Sequence, residues 1–308
     1  MPIASSLDRL QLPGGGFAML AIDQRESLRT MMSVDRANPV TDDELVAFKA
    51  AVADELTPLA SAILIDREFG LRDGIPPIAP ECGIILSVDR FVQQPGQIVE
   101  HSDVDPVITP AVIAEAGASA VKLLIIWRAK DSKNQRDDII GQFNQLAADA
   151  GVVTVLEGVV RPDDGTWATP AHRDDAILAA ATEFAASRPD IYKAEVPGLG
   201  QLPEEELTDR ARAITEVLGC PWVVLSSGVA PDTFPSAVAA ALAGGASGFL
   251  AGRAVWSESL TQPDIRAHLR FHATERLRRL IDVVQSAPSA SLPELAGSAA
   301  APQPSKEM

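Results

Sequence analysis

Residues 152–196 read VVTVLEGVVRPDDGTWATPAHRDDAILAAATEFAASRPDIYKAEV, and this stretch contains the repeating unit of the fold. An apolar run of strand length stands at each end, at Val152–Leu156 and at Ile191–Val196. Both runs are apolar on both faces, which is typical of strands in a buried parallel sheet. Between them, Thr169 to Ala186 has the apolar spacing of a helix. The stretch therefore predicts one strand–helix–strand unit.

The same alternation continues along the chain in both directions. Thr41-Asp-Asp-Glu44 forms a capping box before one helical pattern, and Pro203 opens another with three glutamates in its first turn. Eight strand–helix repeats favour a single-domain α/β (β/α)8 TIM barrel, with a doubly wound open sheet as the alternative because closure cannot be seen in a sequence. The six further apolar runs are Phe17–Ile22, Ala62–Ile65, Gly83–Val88, Ala120–Trp127, Trp222–Leu225 and Gly248–Leu250.

Three segments depart from this alternation. Gly70 to Cys82 is Pro-rich and too short for a full helix, and we expect Asp89 to Val107, which is long and polar, to be a loop. From Ser286 onward the chain is Ala, Ser and Pro with scattered charges, which cannot bury enough apolar surface to become ordered. We therefore predict one barrel domain over residues 1–285 and a mobile tail over residues 286–308.

Charge and composition restrict the partners. The 308 residues carry a formal net charge of −16, which argues against nucleic acid or an anionic membrane as the partner. A small anionic ligand stays compatible with that charge, because a pocket can be locally basic. No secretory signal or membrane-spanning run is visible, so we expect a soluble, cytoplasmic protein. We expect a homo-oligomer, and Cys82 and Cys220 as buried, reduced thiols.

Polar residues in the strands are informative, because barrel active sites lie at the carboxyl ends of strands. Lys122 and Lys193 are each flanked by apolar residues, and a buried ammonium must be paired or lose its charge. Two lysines and Glu157 in neighbouring strands favour an activated amine, which Lys122 would keep partly neutral. The structural alternative is a buried ion pair between Lys193 and Glu157.

The ends of the last two strands predict a phosphate site. Ser226-Ser-Gly228 and Ala251-Gly-Arg253 place small residues, backbone N–H groups and one guanidinium where barrels commonly bind phosphate. Glycine at 228 and 252 lets the backbone approach an anion, and Arg253 can bind it through two hydrogen bonds.

The sequence contains no convincing metal motif. His268 and His272 stand four residues apart on the last helix, but they lack the HExxH order and lie away from the pocket side. A solvated helix face is the favoured interpretation. We therefore predict no metal ligands and no cofactor.

Seven segments with these residues resemble the class I aldolases that include tagatose 1,6-bisphosphate aldolase and sulfofructosephosphate aldolase. The resemblance extends from about Gly14 to Val284 and implies a TIM barrel that binds a small sugar phosphate. It also implies that Lys193 is the Schiff-base lysine, in a pocket lined by Asp23, Gln24, Lys122, Glu157, Ser226, Gly252 and Arg253. The segments are AIDQRES, SAILID, AVKLLIIWR, VLEGVVRP, DIYKAEVP, LSSGV and GFLAGRAVW.

Two features bear on the substrate within that group. Trp127-Arg128 and Val159–Pro162 look like sulfofructosephosphate aldolase, whereas Glu68–Leu71 is closer to the tagatose enzymes. The resemblance implies cleavage of 6-deoxy-6-sulfofructose 1-phosphate to dihydroxyacetone phosphate and sulfolactaldehyde, with tagatose or fructose 1,6-bisphosphate as the alternative substrate. Arg25 and Arg128 are the candidates for the anion at C6.

Two other classes of function stay open at this stage. One is a different barrel enzyme, a metal-dependent aldolase or a phosphosugar isomerase. The metal enzyme would need histidine ligands that the sequence lacks, and the isomerase would not need an imine. The other is a phosphosugar-binding sensor that does no chemistry, although a sensor has no need of a nucleophile.

Overall fold

Eight parallel strands close into a barrel in the computed structural model, which describes residues 7–34, 36, 38–92 and 99–287. In order around the wall, the strands are β1 (Phe17–Ala21), β10 (Gly248–Ala251), β9 (Trp222–Leu225), β8 (Ile191–Glu195), β7 (Val153–Val160), β6 (Ala120–Trp127), β3 (Gly83–Ser87) and β2 (Ala62–Asp66). The prediction of a TIM barrel is thus confirmed, and the open sheet is excluded because the first strand pairs with the last.

Two apolar layers hold the barrel together. Inside it, alternate strand residues such as Met19, Leu64 and Ile85 form a cluster that Leu7 and Leu10 complete. Outside it, the other strand residues pack against the surrounding helices in a larger cluster. Burial on both faces explains why the strands appear in the sequence as continuous apolar runs.

The helices begin and end where local chemistry dictates. Thr41 Oγ1 accepts a hydrogen bond from the Glu44 amide, and the Thr41 amide donates one to the Glu44 carboxylate, so the predicted capping box is present. Gly151, in the left-handed region at φ 66°, ends another helix. The helices are α1 (Glu26–Met32), α2 (Asp42–Leu56), α3 (Pro110–Glu115), α4 (Lys133–Ala150), α5 (Pro170–Ala185), α6 (Glu204–Val217), α7 (Phe234–Ala243), α8 (Arg253–Trp256), α9 (Ile265–His268) and α10 (Thr274–Ser286), with a π-helical turn at Leu269–Ala273 and 3-10 turns at Asp8–Leu10, Pro197–Gly200 and Ser257–Thr261.

The segment expected to be a loop after the third strand is instead a hairpin. Strands β4 (Asp89–Val92) and β5 (His101–Val104) pair antiparallel, with Asp89 opposite Val104. Arg90 and Asp103 are cross-strand neighbours and form an ion pair at 3.3 Å. The Ser102 hydroxyl donates to the Leu124 carbonyl, which fastens the hairpin to β6. The prediction of a loop was therefore wrong for residues 89–92 and 101–104.

The remaining segments agree with expectation where they are described. Residues 70–82 contain no helix, as predicted. Cys82 and Cys220 are buried and unpaired. Helix α10 ends at Ser286, and the predicted mobile tail lies outside the described residues from 288 onward. In the described part of the chain, no helix has the length and apolarity needed to cross a membrane.

Candidate active site

A cavity of about 390 Å³ opens at the carboxyl ends of the barrel strands. This is the face on which barrel enzymes carry their active sites. Nine of the eleven residues that the sequence singled out as site candidates line it, and Gly228 and Arg128 do not. The nine are Asp23, Gln24, Arg25, Lys122, Glu157, Lys193, Ser226, Gly252 and Arg253.

The two candidate catalytic residues Lys193 and Glu157 are neighbours. They lie opposite each other in the register of β7 and β8. Lys193 Nζ is 2.9 Å from Glu157 Oε2, and both residues are buried. The same contact is the ion pair of the structural alternative, so the pair alone does not distinguish the two interpretations; its position in the cavity favours the catalytic one.

Three carboxylates surround the other lysine that lines the cavity. Lys122 Nζ lies 2.9 Å from Asp23 Oδ2, 2.9 Å from Asp89 Oδ2 and 3.0 Å from Glu157 Oε2. Burial alone would lower its pKa, but these carboxylates raise it well above the usual lysine value. Lys122 is therefore a fully compensated ammonium ion, and not the uncompensated second cation that the sequence analysis expected.

Two carboxylates of this cluster, Asp23 and Glu157, keep their charge despite burial. Burial alone would raise the pKa of both groups. The ammonium groups of Lys122 and Lys193 outweigh that effect, and both pKa values fall below their ordinary range. Glu157 is therefore a carboxylate in the resting site.

Asp89 is a site residue that the sequence reasoning missed. It is fully buried, receives hydrogen bonds from Ser87 Oγ and from the Leu124 amide, and contacts Lys122. The signal was present, because Asp89 follows directly after the third predicted strand, at its carboxyl end. The polar residues around Asp89 predict a loop instead, and so conceal it.

The loops after the last two strands lie side by side, as the phosphate prediction requires. Arg253 Nη2 donates to Ser227 Oγ at 2.5 Å, and the Ala254 amide lies 3.4 Å from Ser226 Oγ. A side chain at Gly252 would approach the Ala21 carbonyl oxygen to 2.3 Å, so only glycine fits there. Gly228 has φ 77° and packs beside Leu199 away from the cavity. It shapes the loop and does not line the pocket.

Arg25 and Arg128, which the sequence suggested for a distal anion, both form ion pairs with carboxylates of the protein. Arg128 bonds to Glu100 at 2.7 Å, outside the cavity. Arg25 lines the cavity, but its guanidinium lies 3.4 Å from Asp89 Oδ1, and its pKa is raised by Asp89 and Asp66 against the effect of burial. Neither arginine is available in the way that the sequence analysis expected. Arg161, which the sequence analysis mentioned only within the Val159–Pro162 motif, does line the cavity.

Gln24 presents an unused acceptor to the cavity. Its buried Oε1 has no hydrogen-bond partner among the described residues. A buried acceptor without a partner is costly, so this atom is suited to receive a hydroxyl group from a ligand.

The prediction of no metal stays a prediction. Across residues 7–34, 36, 38–92 and 99–287, no group of three or more His, Cys, Asp or Glu side chains could hold a metal ion. His268 and His272 stack at 4.5 Å, and the Nδ1 atom of His268 contacts the hydroxyl of Ser259.

Comparison with known proteins adds to this geometry. A family model described as DeoC/LacD family aldolase matches residues 17–258. Tagatose 1,6-diphosphate aldolase of Staphylococcus haemolyticus is 27% identical over 282 residues, covering 82% of this chain and 84% of that protein. Tagatose 1,6-diphosphate aldolase of Lactococcus lactis is 27% identical over 277 residues, covering 83% of this chain and 85% of that protein.

Solved structures agree on the fold. A Schiff base forming fructose-1,6-bisphosphate aldolase superposes with a TM-score of 0.61 at 15% identity, covering 92% of this chain and 100% of that one. The fructose-bisphosphate aldolase of Plasmodium falciparum superposes with a TM-score of 0.69 at 13% identity, covering 92% and 94%. At these identities, the likeness shows the barrel architecture alone.

Proposed function

The chain belongs to the DeoC/LacD family of aldolases, and from that premise we propose that it cleaves a ketose 1-phosphate through a Schiff base on Lys193. The observation that carries the proposal is the contact at 2.9 Å between Lys193 Nζ and Glu157 Oε2 inside the cavity. An amine beside a proton acceptor, in a cavity large enough for a small ligand, is the arrangement that imine formation requires.

The steps follow from that contact. Lys193 gives a proton to Glu157, and the free amine adds to the C2 carbonyl carbon. Glu157 returns a proton to the carbinolamine oxygen, which leaves as water and produces the iminium. Glu157 then takes the C4 hydroxyl proton, the C3–C4 bond breaks, and its electron pair moves to the iminium to form an enamine. Protonation of the enamine at C3 and hydrolysis release dihydroxyacetone phosphate and restore the amine.

Lys122 acts through its neighbours in this scheme. Its ammonium group shares Glu157 Oε2 with Lys193, so it fixes the orientation of the carboxylate that moves protons. It also holds Asp23, which lines the cavity and can receive a substrate hydroxyl. Gln24 Oε1 offers a second acceptor for the hydroxyls.

The phosphate on C1 would bind where β9 and β10 end. Ser226, Gly252 and Arg253 line the cavity there, and Arg253 has no carboxylate within ion-pair distance in the described part of the chain. Binding of the phosphate on this side places C2 beside Lys193, which removes much of the entropic cost of the reaction.

The substrate we propose is 6-deoxy-6-sulfofructose 1-phosphate, with sulfolactaldehyde as the second product. The motifs at Trp127-Arg128 and Val159–Pro162 support it. The physics also supports it, because a sulfonate is a monoanion whereas a phosphate monoester is nearly a dianion at neutral pH. A distal site with little positive charge therefore favours the sulfonate.

The names of the curated relatives favour a second candidate. Both relatives described above are tagatose 1,6-diphosphate aldolases, and Glu68–Leu71 is closer to their pattern. Cleavage of tagatose or fructose 1,6-bisphosphate is therefore the alternative, by the same Lys193 chemistry.

Trapping of the imine tests the reaction. Borohydride with dihydroxyacetone phosphate should inactivate the enzyme irreversibly, because reduction turns the imine into a stable secondary amine. Mass spectrometry of the digested protein should place the added mass on Lys193. Lys193→Met, which cannot form an imine, is the control that should stay unlabelled. Label on Lys122, or full activity after treatment, would contradict the proposal.

A comparison of substrates tests the finer assignment. We expect kcat/KM to be higher for 6-deoxy-6-sulfofructose 1-phosphate than for tagatose or fructose 1,6-bisphosphate, measured side by side through release of dihydroxyacetone phosphate. A clear preference for either bisphosphate would refute the sulfosugar assignment and leave the Schiff-base reaction standing.

A further inference from the structure

We propose that Arg161 forms a second anion site in the cavity and binds a tetrahedral monoanion, a sulfonate, at the end of the substrate remote from C1. This inference rests on the proposed function, since it requires that Lys193 holds C2 and that Ser226 and Arg253 hold the C1 phosphate.

The first reason is that the Arg161 guanidinium has no carboxylate within ion-pair distance among the residues that the structure describes. Arg161 follows directly after β7 and lines the cavity. Its Nη1 donates to the Val160 carbonyl at 2.9 Å, and its buried Nε has no partner among the described residues. No hydrogen bond among those residues engages its Nη2, so this donor of the charged group is available to an anion in the cavity.

The second reason is that neither of the other two arginines in the cavity is suited to the distal anion. Arg25 is held by Asp89, and its charge is compensated there. Arg253 lies at the proposed phosphate side, bonded to Ser227. Of the three arginines that line the cavity, Arg161 alone lies away from the phosphate and has no ion pair within the described part of the chain.

The third reason is the arrangement around the barrel wall. Arg161 follows β7 and Arg253 follows β10, with β8 and β9 between them. β7 and β10 are three strand spacings apart, which is about 14 Å along the barrel wall. Lys193 lies on β8, between the two arginines, so a substrate with an anion at each end would bring its central carbons to the lysine.

The surroundings of Arg161 favour a single negative charge. Burial lowers the pKa of the Arg161 guanidinium; Glu195 and Glu100 oppose that effect, and Arg128 and Arg173 reinforce it. Arg173 is paired with Glu195 and Arg128 with Glu100, so their charges are compensated. Two apolar residues near Arg161, Ile126 and Val159, line the cavity and are register partners in β6 and β7. One guanidinium without an ion pair among the described residues, beside apolar side chains, matches a monoanion, whereas a dianion would keep part of its charge uncompensated.

The test separates the distal site from the chemistry. Enzyme is trapped with dihydroxyacetone phosphate and borohydride, which occupies Lys193 and the C1 side. An unreactive analogue of the distal product, 2,3-dihydroxypropane-1-sulfonate, is then titrated calorimetrically into trapped and untreated protein.

We expect Arg161→Gln to weaken sulfonate binding at least tenfold, in keeping with the loss of a charge-assisted contact. Arg161→Lys, which keeps the charge but not the planar fork, should lose less. Arg210→Gln removes a guanidinium that is paired with Asp175 and does not line the cavity, so it is the matched control and should bind as wild type does.

The two ideas fail in different ways. If no label forms on Lys193, the Schiff-base proposal fails, and the untreated protein still reports on Arg161. Equal sulfonate affinity of wild type and Arg161→Gln overturns the distal site in either preparation. Tighter binding of glycerol 3-phosphate than of the sulfonate by trapped wild type, lost in Arg161→Gln, would overturn the preference for a monoanion.

Discussion

The two lysines that line the cavity differ in the number of carboxylates that they contact. Lys122 contacts three, and Lys193 contacts only Glu157, which it shares with Lys122. An ammonium ion held by three carboxylates has no reason to release its proton. Of these two lysines we therefore expect Lys193 to be the nucleophile, an expectation that needs no reference to relatives. The sequence could not supply it, because both lysines stand in equally apolar runs.

Arg253 is the residue at which the phosphate assignment can be tested. Arg253→Ala should lower kcat/KM at least tenfold, because a charge-assisted hydrogen bond contributes about 1.5–3 kcal/mol. Competitive inhibition by inorganic phosphate should weaken in parallel. Arg128→Ala, which removes a guanidinium outside the cavity, is the control. If Arg253→Ala keeps both properties of the wild type, the phosphate binds elsewhere.

Among the strands, the sequence located all eight barrel members, because burial on both faces leaves continuous apolar runs. It placed the end of β7 too early, at Leu156, since Glu157 interrupts the run. In the structure β7 continues to Val160 because Lys193 on β8 compensates that carboxylate. A charged residue such as Glu157 interrupts the apolar run in the sequence. The strand itself continues when a residue of opposite charge lies on the neighbouring strand.

The hairpin of β4 and β5 could not be predicted from apolar runs in the sequence. It lies outside the barrel wall and needs no apolar faces of its own, so its sequence looks like a loop. Its hold on the barrel comes from Ser102 and Leu124, which are 22 residues apart in the chain. Contacts at that separation cannot be inferred from local spacing. The contact of Arg128 with Glu100, 28 residues away in the chain, could not be inferred for the same reason.

For the molecule as a whole, the buried carboxylates predict how stability depends on pH. The lowered pKa values of Asp23 and Glu157 mean that the folded state binds these protons less readily than the unfolded chain does. Their contribution to stability is therefore present above the unfolded pKa values of about 4 and is lost as the pH falls below them. The free energy of unfolding in urea should fall steadily from pH 5 to pH 3.

Asp23→Asn provides the control for that measurement. It removes one of the titrating carboxylates, so its stability should depend less steeply on pH over the same interval. Equal slopes for the variant and the wild type would show that the buried cluster does not contribute to acid unfolding.

The closure of the barrel has a consequence for how the protein is made. Phe17 pairs with Gly248, and the indole of Trp256 donates to the carbonyl of Ala21. The first strand therefore cannot complete its pairing before the last strand has formed. A chain still leaving the ribosome can contain Lys193 but cannot close the wall that holds it. Until β10 has been synthesised, the edges of β1 and β9 that pair with it stay open, and other chains could join them. Such late, long-range pairing makes folding slow, so nascent chains should depend on chaperones until the final strand arrives.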